Sequence, residues 1–180
     1  MHNPQLSDPD NPIVVAIGKL TAKGAKKTAQ DREEIGRLEF FGGIYLDDQD
    51  RVAVPVAAIR KCFIDSGKAT KKGMAISRAL VGVEQHAPLI YDGPRTVEAL
   101  WDAGTFKSKL SVGVNGNRVM RVRPKFQNWE VGTSFFFNSS ILDMETFIEI
   151  AEMSGVMSGL LDGRIIGFGR FEAEIKDVGL

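Results

Sequence analysis

A chain of 180 residues, 43% hydrophobic and 26% charged with 19 Gly and 7 Pro, has the composition of a compact globular protein and excludes collagen or a fully disordered chain. At this length roughly 70% of the unfolded surface becomes buried, so a core forms without staples, and Cys62, the only cysteine, has no partner for an internal disulfide. Its 23 basic and 23 acidic residues balance, which excludes a strongly basic protein but not a locally basic face. His2 and His86 are too few to build a structural zinc site. With no long apolar run and no basic, apolar leader at Met1-His2-Asn3-Pro4, the expectation is a single cytoplasmic domain spanning 1–180, without membrane contact or cofactor.

Residues 1–12, with three Pro, two Asp and two Asn, read as a loop or extended arm. Ile13 to Ile17 is a short β-branched run and reads as a buried strand. Residues 19–36 lack an apolar stripe and carry Lys23, Lys26 and Lys27 followed by Asp31 to Glu34, which predicts a mobile, partly helical basic excursion. Leu38 to Asp48 reads as a strand with a Gly-Gly kink ending in an acidic turn.

Pro55 opens a helix in which Val56, Ile59 and Cys62 or Phe63 recur at helical spacing, with Gly67 as its terminator. A basic linker, Lys68 to Lys72, leads to a strand over Met74 to Val83. Pro88 to Tyr91 runs into the turn Asp92-Gly93-Pro94, and Thr96 caps a short helix closed by Gly104. Arg118 to Arg123 alternates basic and apolar side chains as a strand, placing Arg121 and Arg123 on one face and Met120 and Val122 on the other. A further strand is expected from Trp129 to Phe137. A helix follows from Leu142 to Met157, with Leu142, Phe147, Ile148, Ala151 and Met157 on its apolar stripe and Glu145, Glu149 and Glu152 opposite. Gly169 to Ile175 alternates again and reads as the last strand. This order predicts an α+β protein with a ferredoxin-like (RRM-like) antiparallel sheet, helices on one face and a Gly-rich loop before the last strand.

Charge is segregated along the chain. From Ala103 to Trp129 every charged residue is basic: Lys107, Lys109, Arg118, Arg121, Arg123 and Lys125. From Glu130 to Asp162 all six are acidic. Arg118 to Lys125, followed by Phe126 and Trp129, interleaves cations for phosphates with rings for bases, as a single-strand groove requires. The loop Gly159 to Phe171 places Gly159, Gly163, Gly167 and Gly169 between a helix and a strand. Its amides are then available to a phosphate, Arg164 and Arg170 add charge, and Phe168 offers a stacking face. The spacing fits neither a Rossmann fingerprint nor a P-loop. Asp47, Asp48 and Asp50 lack EF-hand spacing and read as a hairpin turn.

The C-terminal helix, Gly-rich loop and closing Gly169-Arg170-Phe171 resemble the signature of the repeat-associated RNA-binding (RAMP) superfamily of CRISPR systems. Further blocks resemble an uncharacterised phage and prophage family over most of the chain: Met1-His2-Asn3, Asp8 to Pro12, Arg37 to Phe40, Tyr91 to Arg95 and Arg121 to Trp129. The resemblance implies a ferredoxin-like core, backbone-directed binding of single-stranded RNA or DNA, and side-by-side homo-oligomers along the strand.

The expected function is sequence-tolerant single-stranded nucleic-acid binding, through Lys23, Lys26, Lys27, Arg118, Arg121, Arg123, Lys125 and the loop residues Gly163, Arg164, Gly167, Phe168, Gly169 and Arg170. One rival is a metal-independent endoribonuclease using His86, the only candidate catalytic group. The other is an anti-defence or virion module that mimics a CRISPR subunit.

Overall fold

The computed structural model describes residues 3–114 and 116–179, so Met1 and His2 of the first resemblance block lie outside the described residues. Where the sequence reads as one domain, these residues group into two compact units. A hairpin unit comprises 3–53 and 88–130, and a helical unit comprises 54–87 and 131–179. The chain passes between them in three short strands, β1 (Ala53–Pro55), β3 (His86–Tyr91) and β6 (Trp129–Val131).

In the hairpin unit, the run Ile13 to Ile17 is helical and belongs to α1 (Pro12–Thr21). Local chemistry overrides its β-branched composition. The Asn11 side chain accepts the Ile13 N–H at 2.9 Å, and Pro12 supplies a helical φ in the first turn. The arm before it is anchored: Asn3 Nδ2 donates to the Ile44 carbonyl at 2.9 Å and Gln5 Nε2 to that of Gly42 at 3.0 Å.

Residues 19–36, expected as a mobile, partly helical excursion, comprise the end of α1, a 3-10 turn at Gly24–Lys26 and the first half of α2 (Ala29–Gly43). A reciprocal capping box starts α2. The Thr28 hydroxyl accepts the Asp31 N–H while the Asp31 carboxylate accepts the Thr28 N–H. The bond from Lys23 and these amide contacts hold the Asp31 carboxyl down at about 2.

Helix α2 runs through Leu38 to Gly43, which the sequence assigns to a strand. Its buried positions are Asp31, Gly36, Glu39, Phe40 and Gly42. That stripe has helical spacing but only one large apolar residue, so a hydrophobic period cannot reveal it.

Beyond α2, Leu46 and Val52 form an isolated antiparallel bridge, and Asp47 accepts the Gln49 and Arg51 N–H groups. The acidic cluster is thus a turn. Helix α5 (Val97–Ala103) is capped by Thr96 as expected. β4 (Lys107–Val114) and β5 (Asn117–Pro124) pair antiparallel. The core is Phe40, Ile44, Val52, Tyr91, Leu100 and Val122, with Trp101, Phe106 and Phe126 packed against it.

In the helical unit, Pro55 precedes α3 (Val56–Gly67) as its composition demands. The expected strand over 74–83 divides into α4 (Gly73–Ala79) and β2 (Leu80–Gly82). Gly73, Ile76 and Ala79 are buried at three-residue spacing, which a helix turns to one side. β2 pairs antiparallel with β7 (Phe135–Phe137), Leu80 opposite Phe137. Residues 132–134 separate β7 from β6, so the expected strand from Trp129 to Phe137 is two.

Helix α6 (Met144–Met157) starts at Asp143, whose carboxylate accepts the Thr146 N–H at 2.8 Å. That amide bond holds the Asp143 carboxyl below the usual range. α6 buries Phe147, Ile150, Ala151, Ser154 and Gly155, while Met157, expected on its apolar stripe, is exposed. Phe63 meets Phe147 edge-on at 5.5 Å and Phe135 at 6.1 Å.

Residues 169–175, expected as the last strand, form no strand. They run against α6 instead: a Cβ at Gly155 would lie 1.7 Å from the Phe171 carbonyl oxygen. The protein is α+β, and among the described residues no sheet has more than three strands. Among the described residues no helix is long and apolar enough to cross a membrane.

Candidate nucleic-acid interface

The basic segment folds as the β4–β5 hairpin. Its register pairs Lys109 with Val122, Ser111 with Met120 and Gly113 with Arg118. Cross-strand partners share a face, so Lys109, Arg118, Met120 and Val122 lie on one face and Leu110, Val112, Val119, Arg121 and Arg123 on the other.

The base of the hairpin is clamped to α2. A Cβ at Gly36 would sit 2.8 Å from Val122 Cγ2, so glycine is what admits the strand there. Glu39, only 3% exposed, accepts the Val122 N–H at 2.9 Å through Oε2 and a bond from Arg121 Nη1 through Oε1. Towards the turn the hairpin opens to solvent on both faces: Leu110, Val112 and Met120 are 36%, 38% and 51% exposed.

This arrangement sorts the candidate cations. Arg121 is a structural partner of buried Glu39 rather than an open phosphate contact. Arg123 turns Nη1 to the Val122 carbonyl at 3.2 Å, and half-buried Lys125 donates its N–H to Phe106 O. Lys107 lies over the Trp101 ring, 4.0 Å from its centroid, an ammonium on an indole face. Arg118 is exposed, as is Lys109, which the site assignment from sequence omits. Phe126 packs 4.8 Å from Tyr91 and 5.5 Å from Phe106, so it is core and not a stacking platform. In the excursion, Lys23 pairs with Asp31, Lys26 is exposed, and the Lys27 carbonyl accepts from Arg32.

The Gly-rich loop lies in the helical unit. Gly163 and Gly167 bracket a 3-10 turn, Arg164–Ile166, in left-handed conformations. Its amides close the loop on itself: Ile166 and Phe168 donate to Gly163 O, and Gly167 to Arg164 O. Phe168 lies over Gly163, where a Cβ would meet its ring at 2.6 Å, so it packs within the loop. A Cβ at Gly169 would lie 2.0 Å from Leu160 O. Arg170 donates to the carbonyls of Val156 and Arg164, joining the end of α6 to the turn. The glycines and Arg170 therefore build the loop, and Arg164 turns its guanidinium towards Asp65, 3.9 Å away.

His86 is the first residue of β3 and half-buried. Among the described residues no group of three or more His, Cys, Asp or Glu is arranged to hold a metal. Cys62 is buried, and burial pushes its thiol up, away from nucleophilic thiolate.

The sequence assignment misses β4. The signal for it is the Asn115-Gly116 pair between two alternating runs, Lys107 to Val114 and Asn117 to Pro124, a strong short-range hairpin mark. Compared with known protein families, curated proteins and solved structures, the chain matches none.

Proposed function

We propose that this protein binds single-stranded nucleic acid, without strong sequence preference, through the open half of the β4–β5 hairpin. The observation that carries the reading is one exposed hairpin face holding Lys109 and Arg118 beside Met120, with Leu110 and Val112 exposed on the opposite face, within a stretch that has no acidic residue. Cations contact phosphates of any sequence, and apolar side chains lie against unstacked bases. The hairpin needs no ferredoxin-like core to do this. Side-by-side assembly along the strand, which the resemblance implies, is expected to make binding cooperative.

The test is a fluorescence titration of labelled single strands against the parent and a Lys109→Ala/Arg118→Ala variant over a range of salt. Affinity is expected to fall for every sequence, and the slope of log K against log salt to fall by roughly 0.7 for each phosphate that the variant no longer neutralises. Unchanged affinity and slope in a folded variant would remove the hairpin from the interface. Strand cleavage by the parent, abolished by His86→Ala, would replace this reading with the endoribonuclease.

A further inference from the structure

The helical unit gathers a second set of cations of its own. Lys61, on α3, and Lys68, just past its end, both donate to Asp65 Oδ1, the latter at 2.7 Å. Arg164 arrives from the Gly-rich loop and places Nη1 3.9 Å from Asp65 Oδ2. Arg170 stands beside it, its guanidinium bonded to the Arg164 and Val156 carbonyls. The C-terminal end of a helix attracts cations, which accounts for Lys68. It does not account for three cationic side chains converging on one carboxylate.

The charges persist at neutral pH. Partial burial opposes ionisation of Asp65, but the bonds from Lys61 and Lys68 outweigh it and hold the carboxyl below its usual range. The bond to Asp65 in turn raises Lys68. Even with the loop's Asp162 counted, Lys61, Lys68, Arg164 and Arg170 leave two positive charges over. The side chains of Lys61, Lys68 and Arg164 are all more than a third exposed, so an anion reaches them from solvent. Their carboxylate orients them. Ile165, next to Arg164, is fully exposed and supplies an apolar surface beside the cations.

We propose that Lys61, Lys68 and Arg164, held in place by Asp65, form a phosphate-binding site in the helical unit. The recognised chemistry is an oxyanion of phosphorus carried either by a nucleic-acid backbone or by a small polyphosphate. Only the backbone form rests on the function proposed for the hairpin. Side chains make the contact; the Ile166, Gly167 and Phe168 amides are bonded within the loop.

The full chain is compared with a Lys61→Ala/Lys68→Ala variant and, separately, with the Lys109→Ala/Arg118→Ala variant, by thermal unfolding with inorganic pyrophosphate and by titration with a labelled single strand over a range of salt. Pyrophosphate is expected to raise the Tm of the parent and of the hairpin variant but not of the Lys61/Lys68 variant. That difference, with an unchanged salt slope for the strand, establishes the site for small polyphosphates. A strand slope lowered by roughly 0.7 for each phosphate left without its cation establishes it for the backbone. If pyrophosphate acts alike on parent and Lys61/Lys68 variant, or on neither, and the strand slope is unchanged, the site is overturned; the hairpin variant reports on the other reading regardless. Lys61→Gln/Lys68→Gln, which keeps more of the side-chain stems, takes over if the alanine variant fails to fold.

Discussion

At the scale of single residues, one side chain that the sequence offers as a ligand contact has a structural role instead. Arg121 looks like a phosphate binder because basic and apolar residues alternate around it, yet its guanidinium neutralises Glu39 beneath the hairpin. Removing one partner of a buried pair leaves a charge without compensation. With Arg121 itself a third exposed, Arg121→Ala is expected to destabilise the protein by about 2 kcal/mol in urea unfolding, whereas Lys109→Ala, at an exposed position, stays within about 0.5 kcal/mol. Equal effects would mean that Glu39 finds another partner. Cys62 provides a pH test. Burial raises its thiol in the folded state and outweighs the opposing contribution of the Ser154 side chain. The unfolded chain thus loses its proton first as pH rises, so this contribution is complete below about 9 and is lost as pH climbs towards the folded value. Thiol-reagent labelling at pH 8 is expected only as fast as the protein unfolds, and rapid stoichiometric labelling of folded protein would contradict the burial.

At the scale of elements, glycines decide packing that apolar patterning does not disclose. Gly155 lets the chain after the loop lie directly on α6, with backbone where a Cβ would be. Gly167 has open space around it but a φ of +89°. The two positions therefore fail for different reasons. Gly167→Ala is expected to cost about 1 kcal/mol, the conformational term alone. Gly155→Ala is expected to cost clearly more, because Phe171 must move away from α6. Urea midpoints of the two variants check the order, and a reversed order would show that the 169–175 segment yields easily. Gly169→Val would collide with the Leu160 backbone and so reads folding.

At the scale of the whole molecule, each unit is assembled from two stretches that are distant in the chain. The hairpin docks on α2 through Glu39 and Val122, 83 residues apart, and α3 packs Phe63 on Phe147 of α6. A fragment comprising residues 54–130 contains α3 and the hairpin but neither α2 nor α6, and so exposes both docking faces. It is expected to show no cooperative transition in circular dichroism on adding urea, while the full chain does. A sharp transition in the fragment would refute this dependence on distant segments.

Legible from the amino-acid order alone are the features whose causes lie within about one helical turn. Pro55 before α3 and Thr96 before α5 act on neighbouring residues, and both helices are where those residues place them. The alternation of β5 is local too, as is the basic run on which the hairpin's charge depends. Tertiary structure decided the rest because the causes are distant or carry no hydrophobic signature. Leu38 to Phe41 became helix because α2 buries Gly36 and Glu39 under β5, and a glycine and a carboxylate look like surface in a sequence. Residues 169–175 kept the alternation of a strand but had α6, not another strand, beside them. Arg121 and Arg118 are alike as letters, and only Glu39, 82 positions before Arg121, makes one a structural ion while the other stays exposed. Charge pattern is a property of the chain, but which charges are spent internally depends on what folding brings beside them.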